Sequence, residues 1–226
     1  MPRMANEFSG VLLDFAGTLF DQEPETDSLR AIGIPELAWD ELTAAIARAD
    51  RLAAAPALMP PELARQWERR DLTSAQHRAA FTGLLRQGGL VPDVADAFYA
   101  RTCSPEAWLP FDDTAACLRS LRARGIPVAI VSNIGWDVRA VFGRHGLLPF
   151  VDAFVLSYEH GAMKPDARLF SAACDAIGIP AEKVLMVGDS VESDGGATAI
   201  GCTFAHLAFP RARSALQSVL EPAISK

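Results

Sequence analysis

Short apolar runs, each closed by a turn or a polar residue, recur along the chain. They cover Val11 to Phe15, Val128 to Val131, Phe154 to Leu156 and Val184 to Val187, with a weaker fifth at Thr203 to Leu207. Runs of this length without polar alternation are the mark of strands buried on both faces, as in a parallel sheet. Helical patterns separate the last four. The clearest are Thr114 to Arg124, ending before Gly125, and Asp166 to Ile177, which follows Pro165 and ends before Gly178. This alternation predicts an α/β fold, a Rossmann-like doubly wound parallel sheet with helices on both faces.

The stretch between the first run and the helix at Thr114 is too long for a simple crossover, and its pattern is helical. Pro35 to Ala55 sets Leu42, Ile46, Ala49 and Ala53 at helical spacing, while Ser74 to Gln87 sets His77, Phe81, Leu84 and Leu85 on one face. Shorter helices near Pro61 to Arg70 and Pro92 to Thr102 would complete a four-helix unit. The expected division is a core domain of residues 1–20 and 106–226 and a small α-helical cap of residues 21–105. Segments near Asp21 and from Trp108 to Asp113 are the expected hinges.

Composition narrows the class. With 226 residues, 50% hydrophobic and 22% charged, the chain has the make-up of a globular protein with one core and room for an insertion. Its longest apolar runs fall far short of the roughly 18 residues a membrane span needs, so no membrane partner is expected. The opening MPRMANEFSG has no apolar export segment, which points to the cytoplasm. A net charge of -7 disfavours nucleic acid, whose backbone needs a basic surface. Cys103, Cys117, Cys174 and Cys202 show no CxxC pair and read as core thiols. Monomer and homodimer both remain open.

Candidate chemistry gathers where the strands end. Asp14 closes the first run, Ser132 and Asn133 follow the second, Lys164 the third and Asp189 the fourth. In an open parallel sheet these ends face one crevice, where ligands bind. Gly17, Gly135 and Gly188 suggest tight turns beside them. Lys164 is also one of only three lysines in a chain that otherwise uses arginine, so a compact point charge is wanted there.

With Asp14-Phe15-Ala16-Gly17-Thr18-Leu19-Phe20, Val131-Ser132-Asn133, Lys164-Pro165 and the run Gly188 to Asp194 in this order, the chain resembles the haloacid dehalogenase superfamily. The resemblance is to the subfamily whose helical cap follows the first strand. It implies a hydrolase in which Asp14 is the nucleophile, attacking phosphorus to form an aspartyl-phosphate. The carboxylates of Asp14 and Asp189 and the backbone carbonyl of Ala16 would bind Mg²⁺, with Asp194 as a further ligand, a holder of its waters, or a cap on the next helix. Thr18, Ser132 and Asn133 would hold the phosphate of a small phosphorylated substrate, and Lys164 would supply fixed positive charge.

One position departs from the pattern. Phosphatases of this family carry a second aspartate two residues after the nucleophile, as general acid and then base, and here Ala16 stands there. Such assistance typically contributes about 10²–10⁴-fold. A phosphatase of this kind would need a substrate with an easily released leaving group, or a donor such as Asp21, Glu23 or His77. The alternative is a catalytically weak or inactive module that binds phosphate. Phosphonoacetaldehyde hydrolases share the alanine but need a cap lysine, which residues 21–105 lack. Haloacid dehalogenases work without the acidic pair that Asp189 and Asp194 represent. Arg65, Trp67, Arg69, Arg70 and Arg78 are candidates to line a substrate pocket.

Overall fold

The computed structural model describes residues 8–208 and 215–224; most of the N-terminal segment read as lacking an export signal, residues 1–7, lies outside them, as does Lys226. From β1 (Gly10–Leu13) the chain passes through a tight loop into β2 (Phe20–Gln22). It then forms α1 (Glu25–Ala31), α2 (Trp39–Ala54), α3 (Pro61–Glu68), α4 (Ser74–Gly88) and α5 (Pro92–Thr102). It returns through β3 (Trp108–Pro110) to α6 (Thr114–Ala123), β4 (Val128–Ser132), α7 (Arg139–Arg144), β5 (Ala153–Leu156) and α8 (Ser157–His160). The remainder is α9 (Ala167–Ile177), β6 (Val184–Gly188), β7 (Thr203–His206) and α10 (Ala215–Ile224).

Five strands form one parallel sheet in the order β5-β4-β1-β6-β7. β1, β4 and β6 are buried throughout, because each face of the sheet carries its own core. Val11 and Leu13 pack on one face with Ile130, Val187, Leu118 and Phe142, while Leu12 packs on the other with Val131, Met186, Leu169 and Phe170. Successive side chains of a strand point to opposite faces, so an unbroken apolar run is what two covered faces demand. The expected doubly wound α/β fold is present.

Several boundaries differ from the sequence reading. β1 stops at Leu13 and not at Phe15. The Asp14 N–H still bonds Val187 O at 3.0 Å, but the Phe15 carbonyl accepts from Leu19 and Phe20 at 2.9 and 3.0 Å and turns the chain back. Between β2 and β3 there are five α-helices, not four: α1 is only seven residues long and buries just Ser28 and Leu29, too little for a periodic stripe. The run after Asp194 is a 3₁₀ segment, Asp194–Ile200. The two segments read as hinges pair as an antiparallel ribbon, Asp21 opposite Leu109.

The five helices share a core of their own, built on Leu29, Ile46, Ala49, Trp67, Leu84 and Leu85. Polar contacts tie them to the sheet domain and to the ribbon. Ser157 Oγ donates to Asp71 O at 2.7 Å, and Arg101 makes a two-pronged ion pair with Glu23 at 2.6 and 2.7 Å. Gly135, in the loop after β4, lies so close to α4 that any side chain there would collide with His77.

Candidate active site

The loops leaving β1, β4, β5 and β6 bring Asp14, Ser132, Lys164, Asp189 and Asp194 to one end of the sheet. Lys164 is at the centre. Its ammonium is buried and donates to Asp14 Oδ1 at 2.7 Å, Asp194 Oδ1 at 2.6 Å and Val131 O at 2.9 Å. All three of its protons are thereby used, as a desolvated cation requires. The backbone of Lys164 is fixed by Asn133, whose amide accepts from Lys164 N at 2.6 Å and donates to Lys164 O at 3.0 Å. The Asn133 side chain thus acts on the lysine loop. Ser132 and Thr18 are both buried.

Asp194 is not a helix cap. Its Oδ2 accepts from Ser190 N at 3.0 Å while its Oδ1 is held by Lys164, so the fully buried carboxylate braces the loop after β6. Gly188 ends β6 and is not part of a turn; a side chain there would strike the Asp194 carboxyl. Gly17 does sit in a turn, at φ 72°, where a Cβ would strike the Asp189 carboxyl. Both glycines let two carboxylates come close to the backbone.

One oxygen from each of Asp14, Asp189 and Asp194 lies within 4.8 Å of the others. Burial pushes the Asp14 carboxyl up to about 6, with the Asp194 and Asp189 charges adding to the rise and Lys164 opposing it. Burial, and then Asp194, also raises Asp189. Burial works against the Lys164 charge, yet Asp14 and Asp194 outweigh it and hold the ammonium above its ordinary range. Three carboxylates share one buried cation, so the cluster carries surplus negative charge. An all-oxygen donor set with surplus negative charge suits a hard divalent cation. Asp14 and Asp189 have the freer oxygens; Asp194 is occupied on both.

Opposite the cluster, a cavity of about 230 Å³ opens at Ala16, with Asn133 and Trp136 from the core and Arg70, Asp71 and His77 from the helical layer. His77 is buried and stacks on Phe81 at 4.3 Å, with its Nδ1 2.8 Å from Tyr99 Oη and its Nε2 3.6 Å from Asp71 Oδ1. Burial, reinforced by Arg70, drops its pKa to about 4, so the ring is neutral at physiological pH. Of the other two candidate donors, Glu23 is committed to Arg101 and Ser28, and Asp21 sits exposed on the ribbon. None of the three is an evident replacement for an acid at position 16.

Asp71 and Tyr99 were not singled out from sequence, because nothing near them in the chain marks them as neighbours of His77. The candidate pocket residues separate. Arg70 and Trp67 line internal space and stack on each other at 4.3 Å. Arg65 and Arg69 line a groove beside α3 and α4, and Arg78 is paired with Asp96 at 2.9 Å. Among the described residues, no helix is long and apolar enough to cross a membrane.

A family model described as haloacid dehalogenase-like hydrolase matches residues 8–200. The chain is 33% identical over 105 residues to haloacid dehalogenase-like hydrolase domain-containing protein 3 of Danio rerio, covering 46% of this chain and 43% of that protein. It is 30% identical over 122 residues to ribulose-1,5-bisphosphate 5-phosphatase of Halopiger xanaduensis, covering 53% and 50%. The chain thus spans about half the length of these curated relatives. The solved L-2-haloacid dehalogenase of Xanthobacter autotrophicus with chloropropionic acid covalently bound superposes with a TM-score of 0.67 at 22% identity, over 97% of this chain and 85% of that one. That likeness establishes the fold.

Proposed function

The chain belongs to the haloacid dehalogenase-like hydrolase family, and from that premise we propose that it is a Mg²⁺-dependent phosphatase that forms an aspartyl-phosphate on Asp14. The observation that carries this reading is the buried ammonium of Lys164 held between Asp14 and Asp194, with Asp189 beside them. A phosphatase among its relatives supports the same chemistry.

Asp14, Asp189 and the Ala16 carbonyl would hold Mg²⁺, and Asp194 would order its waters, since both Asp194 oxygens are already hydrogen-bonded. The ion, when bound, neutralises charge between the carboxylate and the phosphate. Asp14 attacks phosphorus, an O–P bond forms, and the bond to the leaving oxygen breaks. Lys164 keeps the nucleophile ionised and oriented. Ser132 and the backbone N–H of Asn133 would hold the non-reacting phosphate oxygens. Water then attacks phosphorus, the O–P bond to Asp14 breaks, Asp14 leaves as a carboxylate, and the water's protons stay on the released inorganic phosphate.

At position 16 there is no proton for the leaving group, and His77 is neutral. The substrates that suit this site are therefore phosphates whose leaving oxygen is stable as an anion, such as aryl phosphate esters or acyl phosphates. The structural likeness to dehalogenases rests on the fold; carboxylates at Asp189 and Asp194, which call for a bridging cation, argue for phosphate. The test is hydrolysis of acetyl phosphate and an aryl phosphate with and without Mg²⁺. Turnover should require the ion and vanish in Asp14→Asn. Phosphate binding without turnover above that control would make the protein a binding module instead.

A further inference from the structure

The cavity at Ala16 shares its wall of Gln22, Arg70, Phe81 and Thr102 with a second, partly open cavity of about 600 Å³ between the helices and the segment Asp21 to Pro24. That volume is within the usual range of sites for small organic ligands, about 300–1,000 Å³. Its apolar lining comes from Ile46, Trp67, Leu84, Leu85, Phe98 and Tyr99. Aromatic walls of this kind accept a flat or bulky apolar body.

The charges in this second cavity are unevenly matched. Among the described residues Arg70 is its one lining cation, and it stands on the shared wall, stacked on Trp67 and 3.4 Å from Asp71. Glu23 is neutralised by Arg101. Asp21, Glu25 and Asp50 also line the space, and among the described residues none of them makes a salt bridge. Partial burial, then the neighbouring charge of Glu25, raises the Asp50 carboxyl, with Arg51 opposing the rise. Carboxylates in such a setting favour an incoming cation and penalise an incoming anion.

We infer that this cavity receives the alcohol part of the substrate, and that this alcohol has an aromatic or similarly apolar body carrying a positively charged amine. A second phosphate or a carboxylate on that body is disfavoured by Asp21, Glu25 and Asp50. The inference rests on the phosphatase reading, in which the alcohol part of a phosphate held at Asp14 would reach this cavity past the smaller one at Ala16.

Phenyl phosphates bearing para-aminoethyl, para-ethyl or para-carboxyethyl groups test it, since their leaving oxygens are nearly alike and only the distal charge differs. KM with Mg²⁺ should rise from amine to ethyl to carboxylate, by about fivefold per step, the scale of one partly exposed charge pair. The same order should appear when the three esters bind to the Asp14→Asn protein, measured by calorimetry, which reads the cavity whether or not the wild type turns over. Asp50→Asn combined with Glu25→Gln should collapse the order; both side chains belong to exposed residues, so packing is preserved. Ala53→Trp, which fills the cavity, should raise KM for the aryl esters relative to acetyl phosphate. Equal binding of the three esters, or tightest binding of the carboxylate, would overturn the inference. Absence of turnover with an intact charge order would instead sink the phosphatase reading alone.

Discussion

Lys164→Met removes the ammonium while keeping most of the side-chain length, and it leaves Asp14 and Asp194 buried without their shared cation. Breaking a buried pair from one side costs about 3–5 kcal/mol. In a chain of this size 1 kcal/mol moves Tm by about 2–4 °C, so the expected loss is roughly 6–20 °C near neutral pH in EDTA. Part of that loss is relieved by protonation. Asp14 already titrates at about 6, above its ordinary 3.8, and without Lys164 it must rise further. A carboxyl raised on folding gives stability that is fully present below its unfolded pKa and lost as pH rises through its folded pKa. The deficit of Lys164→Met against wild type should therefore be smaller at about pH 5 than at about pH 8, and Mg²⁺ should restore part of it by binding the folded state. Urea or thermal unfolding at both pH values checks this. A deficit below about 1 kcal/mol at the higher pH, or one unchanged between them, would mean that the ammonium does not hold the site together.

Ala16→Asp should raise kcat/KM on alkyl phosphates with poor leaving groups by about 10²-fold or more and change aryl phosphates far less, as read from a leaving-group series. Lower turnover in a folded Ala16→Asp protein would refute the missing-acid argument. Gly135→Ala drives a methyl into His77 and should loosen the helical layer from the sheet. Faster hydrogen exchange at the contact between Ser157 and Asp71 would register that, and unchanged exchange would contradict the close-packed contact.

The sheet and the polar cluster were legible because the same physics produced both. Strands covered on two faces leave no place for a polar side chain until they end, so Asp14, Ser132 and Asp189 stand out against Val11 to Leu13, Val128 to Val131 and Val184 to Val187. What escaped the sequence lacked a local signal. Three-residue strands such as β2 and β3 are too short to show a period, and α1 buries too little. The row Tyr99, His77 and Asp71 joins α5 to α4 and to the turn before it only through the tertiary fold, with no spacing in the sequence to announce it. Asp194 shows the limit most clearly: its position beside Gly195 suited a helix cap, but the buried Lys164 claims one of its oxygens and the Ser190 amide the other.

Rapid-quench mass spectrometry of the protein mixed with an aryl phosphate and Mg²⁺ tests the central claim most directly. A phosphoryl group on the peptide containing Asp14, formed before steady state and absent from Asp14→Asn, is the expected result. Steady turnover without phosphorylation of Asp14, or a phosphorylated Asp14→Asn protein, would contradict it.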